Sequence, residues 1–170
     1  MIKVIWSKKE LSSLEKQLNQ NNIKYMIQED HGAIDNHTIS IEIDDEKKDE
    51  LKKILEMIEY EKMQMFFPTH EGFVQINLND IMYVESFKDD IFVHLIGQKT
   101  EVIKKPLYQL EEILNPYHFV RISKSYIVNI RMIIYIKVAL NAKLMLDLKD
   151  GTKLDVTRSF VKTFKEKLKL

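Results

Sequence analysis

The chain has 170 residues, no cysteine, 31% charged and 45% hydrophobic residues, and a formal net charge of zero, a globular composition. Without a thiol there is no disulfide, cysteine nucleophile or Cys-ligated zinc, and no apolar run approaches the ~18–20 residues of a membrane span. Met1 to Glu10 lacks a secretory h-region and cleavage site, so a cytoplasmic chain is expected.

Met1 to Trp6 reads as a short strand. Ser7 followed by Glu10 has capping-box spacing, and Leu11, Leu14 and Leu18 then recur at helical intervals. Ile23, Tyr25 and Ile27 alternate with polar or exposed-type residues, as do Ile39, Ile41 and Ile43 after the His31-Gly32 turn. Asp44 or Asp45 caps a second helix with Leu51, Ile54, Leu55 and Ile58 on one face. Residues 1–62 therefore read as a β-α-β-β-α module. It is a small α+β unit suited to dimerisation or sensing, and too short for a doubly wound receiver domain. His31, Asp35 and His37 match no metal-ligand spacing and read as surface turn residues.

Residues 63–69 read as a linker, because Pro68 disfavours helix before it and cannot continue one. Beyond it, residues 70–170 turn to β patterns: Phe73 to Leu78, Ile81 to Glu85, Ile91 to Ile96 and Thr100 to Ile103, with Ser86 to Asp90 as a hairpin turn. Pro106 opens a short helix with Leu107, Leu110, Ile113 and Leu114 inward. Strands follow at Ile133 to Lys137, Leu144 to Leu148 and Lys153 to Val156, with a turn at Lys149-Asp150-Gly151. A last helix presents Phe160, Phe164 and Leu168 on one face, with Arg158 at its start. Between the short helix and these strands lies Phe119-Val120-Arg121-Ile122-Ser123-Lys124-Ser125-Tyr126-Ile127-Val128-Asn129, a polar knuckle clamped by apolar residues. The fold class is α+β, with a mostly antiparallel β second part.

The neutral total conceals a gradient. Residues 1–66 carry 10 Lys/Arg against 14 Asp/Glu, net −4, whereas residues 121–170 carry 12 against 4, net +8. Such asymmetry points to an anionic partner for the basic end. A Lys-rich final helix explains Lys162, Lys165, Lys167 and Lys169 but not Arg121, Lys124, Arg131 and Arg158. No glycine-rich phosphate loop, paired catalytic carboxylates or His-x-x-x-His spacing is present, so neither enzyme activity nor a cofactor is expected. His94, inside an apolar strand, reads as a partnered scaffold residue. Cations at loop and element ends, with hydroxyls from Ser123, Ser125 and Thr157, suit phosphate anchoring and base-edge contact. A module that binds protein rather than DNA is the alternative.

Four blocks carry a family resemblance: Asp80-Ile81-Met82-Tyr83-Val84-Glu85-Ser86; the helix Leu107 to Leu114; the knuckle Phe119 to Asn129; and Asp150-Gly151 through Leu154, Val156, Thr157, Arg158, Ser159 and Phe160. In order and spacing, residues 67–169 resemble the LytTR DNA-binding domain of bacterial transcription regulators. The resemblance implies small antiparallel sheets whose loops enter successive major grooves of duplex DNA. It also implies paired promoter direct repeats as target, often bound by dimers. Carried over by position, the DNA-binding residues are Lys88, Arg121, Ser123, Lys124, Ser125, Arg158 and Lys162. Ile91 stands where some relatives place a polar residue, and Thr157 replaces the usual Ser. Compact relatives of this kind lack a receiver and are often encoded beside a small membrane protein, which makes such a protein a candidate partner.

Overall fold

The computed structural model describes residues 1–28 and 38–170, so His31, Asp35 and His37 lie outside the described residues. The chain divides into two compact units, Met1–Met63 and Gln64–Leu170.

In the first unit, strands β1 (Ile2–Ser7), β2 (Tyr25–Gln28) and β3 (Thr38–Ile43) form an antiparallel sheet in the order β1-β3-β2. Helices α1 (Leu11–Gln20) and α2 (Lys48–Lys62) close one core with Leu14, Leu18, Ile41, Ile43, Leu51, Ile54 and Ile58. The alternation of Ile41 and Ile43 with Glu42 puts one face of β3 into that core. Asp44 caps the turn before α2, its carboxylate accepting from the Glu46 N–H at 3.4 Å. The Ser7–Glu10 capping box is not the start of α1. Strand β1 runs through Ser7, a 3-10 turn fills Lys8–Glu10, and α1 begins at Leu11 without a side-chain cap. Glu10 instead accepts from the Lys62 ammonium at 2.5 Å.

The second unit holds three antiparallel sheets. Residues 64–68, expected within a linker, form strand β4 (Gln64–Pro68), paired with β5 (Phe73–Asn77). Phe67 is buried, and Pro68 sits at the strand end, where its missing N–H costs no ladder bond. The central sheet joins β6 (Ile81–Phe87), β7 (Asp90–Leu95), β8 (Thr100–Ile103), β9 (Phe119–Arg121) and β10 (Tyr126–Asn129) in the order β8-β7-β6-β10-β9. Between β8 and β9, helix α3 (Leu107–Leu114) buries Leu107, Leu110 and Leu114; Ile113 is only half-buried. The third sheet has β11 (Ile133–Val138), β12 (Leu144–Leu148) and β13 (Lys153–Val156), and α4 (Val161–Leu168) follows.

Sequence dictates two matched corners. Asn77 and Asn129 are each the last residue of a strand, and their side chains accept a backbone N–H two residues on, from Asn79 and Arg131, at 2.9 and 3.1 Å. Each thereby bends the chain through a 3-10 turn into the next strand. Arg131 then donates to the Asn79 side chain at 3.0 Å, so this cation of the basic end ties the two corners together.

The main core of the second unit packs Val120 and Val128 of the central sheet, and Ile122 just past β9, against Leu144, Leu146, Leu148, Leu154 and Val156, with Phe164 closing it from α4. Phe164 is fully buried. Phe164→Ala is expected to lower unfolding free energy by about 3–5 kcal/mol in urea denaturation; a loss below about 1 kcal/mol would show that α4 does not seal this core.

Candidate nucleic-acid interface

The register of the central sheet brings several loops to one end of it. Ser86 pairs with Ile91 and Ile91 with Ile103, while Glu85 pairs with Tyr126 and Ile127 with Arg121. The β6–β7 turn, the β9–β10 knuckle and the exit of β8 therefore share one rim.

The knuckle is built from inside. The Ile122 N–H donates to the Tyr126 carbonyl at 2.9 Å and closes the loop. Ser123 Oγ accepts the N–H groups of Ser125 and Tyr126 at 3.1 and 3.0 Å. Arg121 folds back over the turn. Its Nε donates to the Ser123 carbonyl at 3.0 Å, its Nη2 to the Lys124 carbonyl at 2.8 Å, and its Nη1 to Glu111 of α3 at 2.9 Å. Its guanidinium also lies over the Phe160 ring, 5.9 Å from the centroid. Turn carbonyls have no ladder partner, so a fork of charged donors that satisfies two of them holds the loop in one shape. Ser123 is buried. Two residues expected at the interface, Arg121 and Ser123, thus have their polar groups turned into the protein. What the knuckle offers outward is Lys124, exposed and without an ion pair among the described residues, and the partly exposed Ser125.

Backbone hydrogen bonds tie the neighbouring loops to this knuckle. The Ser86 N–H donates to the Ser125 carbonyl at 2.8 Å, and the Thr157 N–H to the Ile122 carbonyl at 2.9 Å, with Thr157 Oγ1 3.4 Å from the same carbonyl. Ile122 is fully buried, so Arg158, next along the chain from Thr157, is set beside the knuckle on a rigid base. Arg158 is exposed and its guanidinium makes no hydrogen bond or ion pair among the described residues. Lys162, one turn later, is 90% exposed, with Glu166 at 4.0 Å. Lys88 tops the two-residue β6–β7 turn with φ at 55°, a left-handed conformation that a side chain disfavours. Its ammonium lies 5.4 Å from the Phe87 ring centroid. Ile91 is buried and offers nothing to a ligand.

A polar cluster that sequence reasoning did not assemble supports the knuckle. The Tyr126 hydroxyl donates to Glu85 at 2.6 Å. The other oxygen of Glu85 lies 3.1 Å from His94 Nε2, and Thr100 Oγ1 is 3.2 Å from His94 Nδ1. The His94 ring stacks on Tyr83 at 4.2 Å. His94 is partnered on both ring nitrogens, as a scaffold residue should be. The period-2 spacing of Tyr83 and Glu85 signalled a shared face, but Tyr126 joins them only through the β6–β10 register. Among the described residues no group of His, Asp and Glu could hold a metal, and no helix is long and apolar enough to cross a membrane.

Burial, and then the Glu85 carboxylate that accepts its hydroxyl, push the Tyr126 phenol up to about 12. An unfolded tyrosine ionises near 10, so the folded state holds this proton more tightly. The contribution to stability is complete below about pH 10 and is lost as pH rises towards about 12. Tyr126→Phe is expected to flatten part of the stability decline across that window, and to remove the latest step from a spectrophotometric tyrosine titration. An unchanged titration would contradict the assignment.

Comparison with known proteins agrees with this architecture. The family model described as the LytTr DNA-binding domain matches residues 71–169. The chain is 31% identical over 125 residues to the sensory transduction protein LytT of Bacillus cereus, covering 74% of this chain and 50% of that one. It is 38% identical over 78 residues to the transcriptional regulatory protein LytR of Staphylococcus aureus, covering 46% of this chain and 31% of that one. The chain thus spans about half the length of the first relative and about a third of the second. A solved LytTr DNA-binding domain of a methyl-accepting/DNA response regulator from Bacillus cereus superposes with a TM-score of 0.57 at 23% identity. It covers 64% of this chain and 98% of that one, a likeness of fold.

Proposed function

We propose that this chain, which belongs to the LytTR family of DNA-binding domains, is a transcription regulator that reads duplex DNA in the major groove with loops from a β scaffold. The observation that carries the proposal is the placing of two exposed cations, Lys124 and Arg158, which make no ion pair among the described residues, on loops locked together by the Thr157–Ile122 hydrogen bond. Arginine gives bidentate contacts to guanine and lysine also reaches guanine acceptors; we assign base readout to these two. Lys88, Ser125 and Lys162 face phosphate. Arg121 and Ser123 hold the knuckle's shape. The chain acts without catalysis, in the cytoplasm, as a homodimer on paired direct repeats joined by its N-terminal module, with a small membrane protein as a further partner.

A second reading, a module that binds protein, draws on strand β11. It lies at the edge of its sheet and exposes Ile134, Tyr135 and Val138, with Leu140 exposed in the turn that follows. Salt separates the two readings. Binding through several phosphates weakens by orders of magnitude between low and moderate salt, whereas an apolar edge does not.

Arg158→Ala is expected to cost about 1–3 kcal/mol and to relax base preference at one position, measured by mobility shift on a duplex selected from a random pool. Unchanged affinity and preference would overturn the assignment of Arg158 to readout. Light scattering that finds a monomer at high micromolar concentration, with and without DNA, would remove the homodimer.

A further inference from the structure

We infer that Lys104 and Lys105, where the chain leaves β8, form with Lys88 an outer phosphate-binding ledge that extends the DNA path beyond the groove read by the knuckle; this rests on the DNA reading above. The two lysines stand between fixed points. The Lys104 N–H donates to the Pro68 carbonyl at 2.7 Å, and Pro106 begins α3 immediately after. Ile103 pairs with Ile91 and Ile91 with Ser86, so both lysines emerge on the rim that carries Lys88, the knuckle and Arg158. Lys104 is exposed and Lys105 half-buried. Neither ammonium makes an ion pair or hydrogen bond among the described residues.

Between this segment and the β6–β7 turn lies a cleft of about 600 Å³, lined by Ser86, Lys88, Asp89, Asp90, Lys104 and Lys105 among others. His70 stands 3.8 Å from the Asp90 carboxylate. The two aspartates disfavour a free anion settling deep in the cleft, whereas a sugar-phosphate strand crossing its rim meets the lysines. Scale favours the strand as well. From β9 to β8 the sheet spans four strand spacings, roughly 19 Å, while the major groove is about 12 Å wide. With Lys124 and Arg158 inside a groove, the β8 end falls beyond its edge, over phosphates.

The test uses the full chain, K104A/K105A and R158A on two probes. One is a duplex that the wild type selects from a random pool, and the other is a mixed-sequence duplex of equal length, both titrated from 50 to 200 mM salt. Each phosphate contact contributes about 3.5-fold to the loss of affinity over that range. K104A/K105A should therefore weaken both duplexes by the same factor, keep the base preference, and make the salt-induced loss about 12-fold smaller. K104E/K105E should weaken both further. Wild-type affinity and salt dependence in K104A/K105A, with R158A still losing base preference, would overturn the ledge and leave the DNA reading standing. A wild-type chain that binds neither duplex would overturn the DNA reading, and the ledge with it.

Discussion

The shape of the candidate interface depends on one half-buried side chain whose donors are taken up within the protein. Arg121 closes the knuckle by donating to the carbonyls of Ser123 and Lys124 and anchors the result to α3 through Glu111. A loop of this length, left to itself, would sample many shapes, each ordered residue costing about 1–2 kcal/mol of backbone entropy. The fork of Arg121, the two N–H groups accepted by Ser123 and the closing Ile122–Tyr126 bond meet that cost during folding. A ligand then finds Lys124 already in place, and preorganisation of this kind saves binding free energy.

The rest of the rim is an extension of that brace. Ser125 is tied to Ser86 just before the Lys88 turn, and Ile122 to Thr157 just before Arg158, so three loops far apart in sequence are joined by backbone hydrogen bonds. Beneath them Tyr126, Glu85 and His94 form a hydrogen-bonded chain across adjacent strands. The charge follows the same plan. The basic residues of the C-terminal fifty include cations bonded within the fold, such as Arg121 and Arg131, and exposed ones such as Lys124 and Arg158 that make no ion pair among the described residues. A net charge of zero is therefore compatible with a strongly cationic rim, because what a phosphate backbone meets is the local field.

Much of the fold was legible because alternation and helical spacing survive without tertiary context. Ile41 and Ile43, or Leu107, Leu110 and Leu114, declare their buried face from spacing alone. The knuckle was visible as polar residues clamped between apolar ones, and the order of motif blocks named its family. What stayed hidden needed a partner distant in sequence. The sequence showed Arg121 as a cation beside the knuckle but not its bonds to Glu111 and two turn carbonyls, and it showed Ser123 as a hydroxyl but not the two N–H groups that hydroxyl accepts. The strand at 64–68 was obscured by Pro68, which reads as a breaker yet is harmless at a strand end. The Ser7–Glu10 spacing promised a cap, but β1 continued through Ser7 and Glu10 paired with Lys62 instead.

The proposed division of labour, Arg121 as brace and Lys124 as contact, is most directly measured by a double-mutant cycle, Arg121→Ala with Lys124→Ala, read as affinity for a duplex selected by the wild-type chain. A brace acting through Lys124 predicts that Arg121→Ala weakens binding in the wild type but adds little once Lys124 is gone. That is a coupling of about 1 kcal/mol or more, within the range seen for residues in one network. Losses that add to within about 0.3–0.5 kcal/mol, with Arg121→Ala also lowering the salt slope by about 1, would instead make Arg121 an independent phosphate contact.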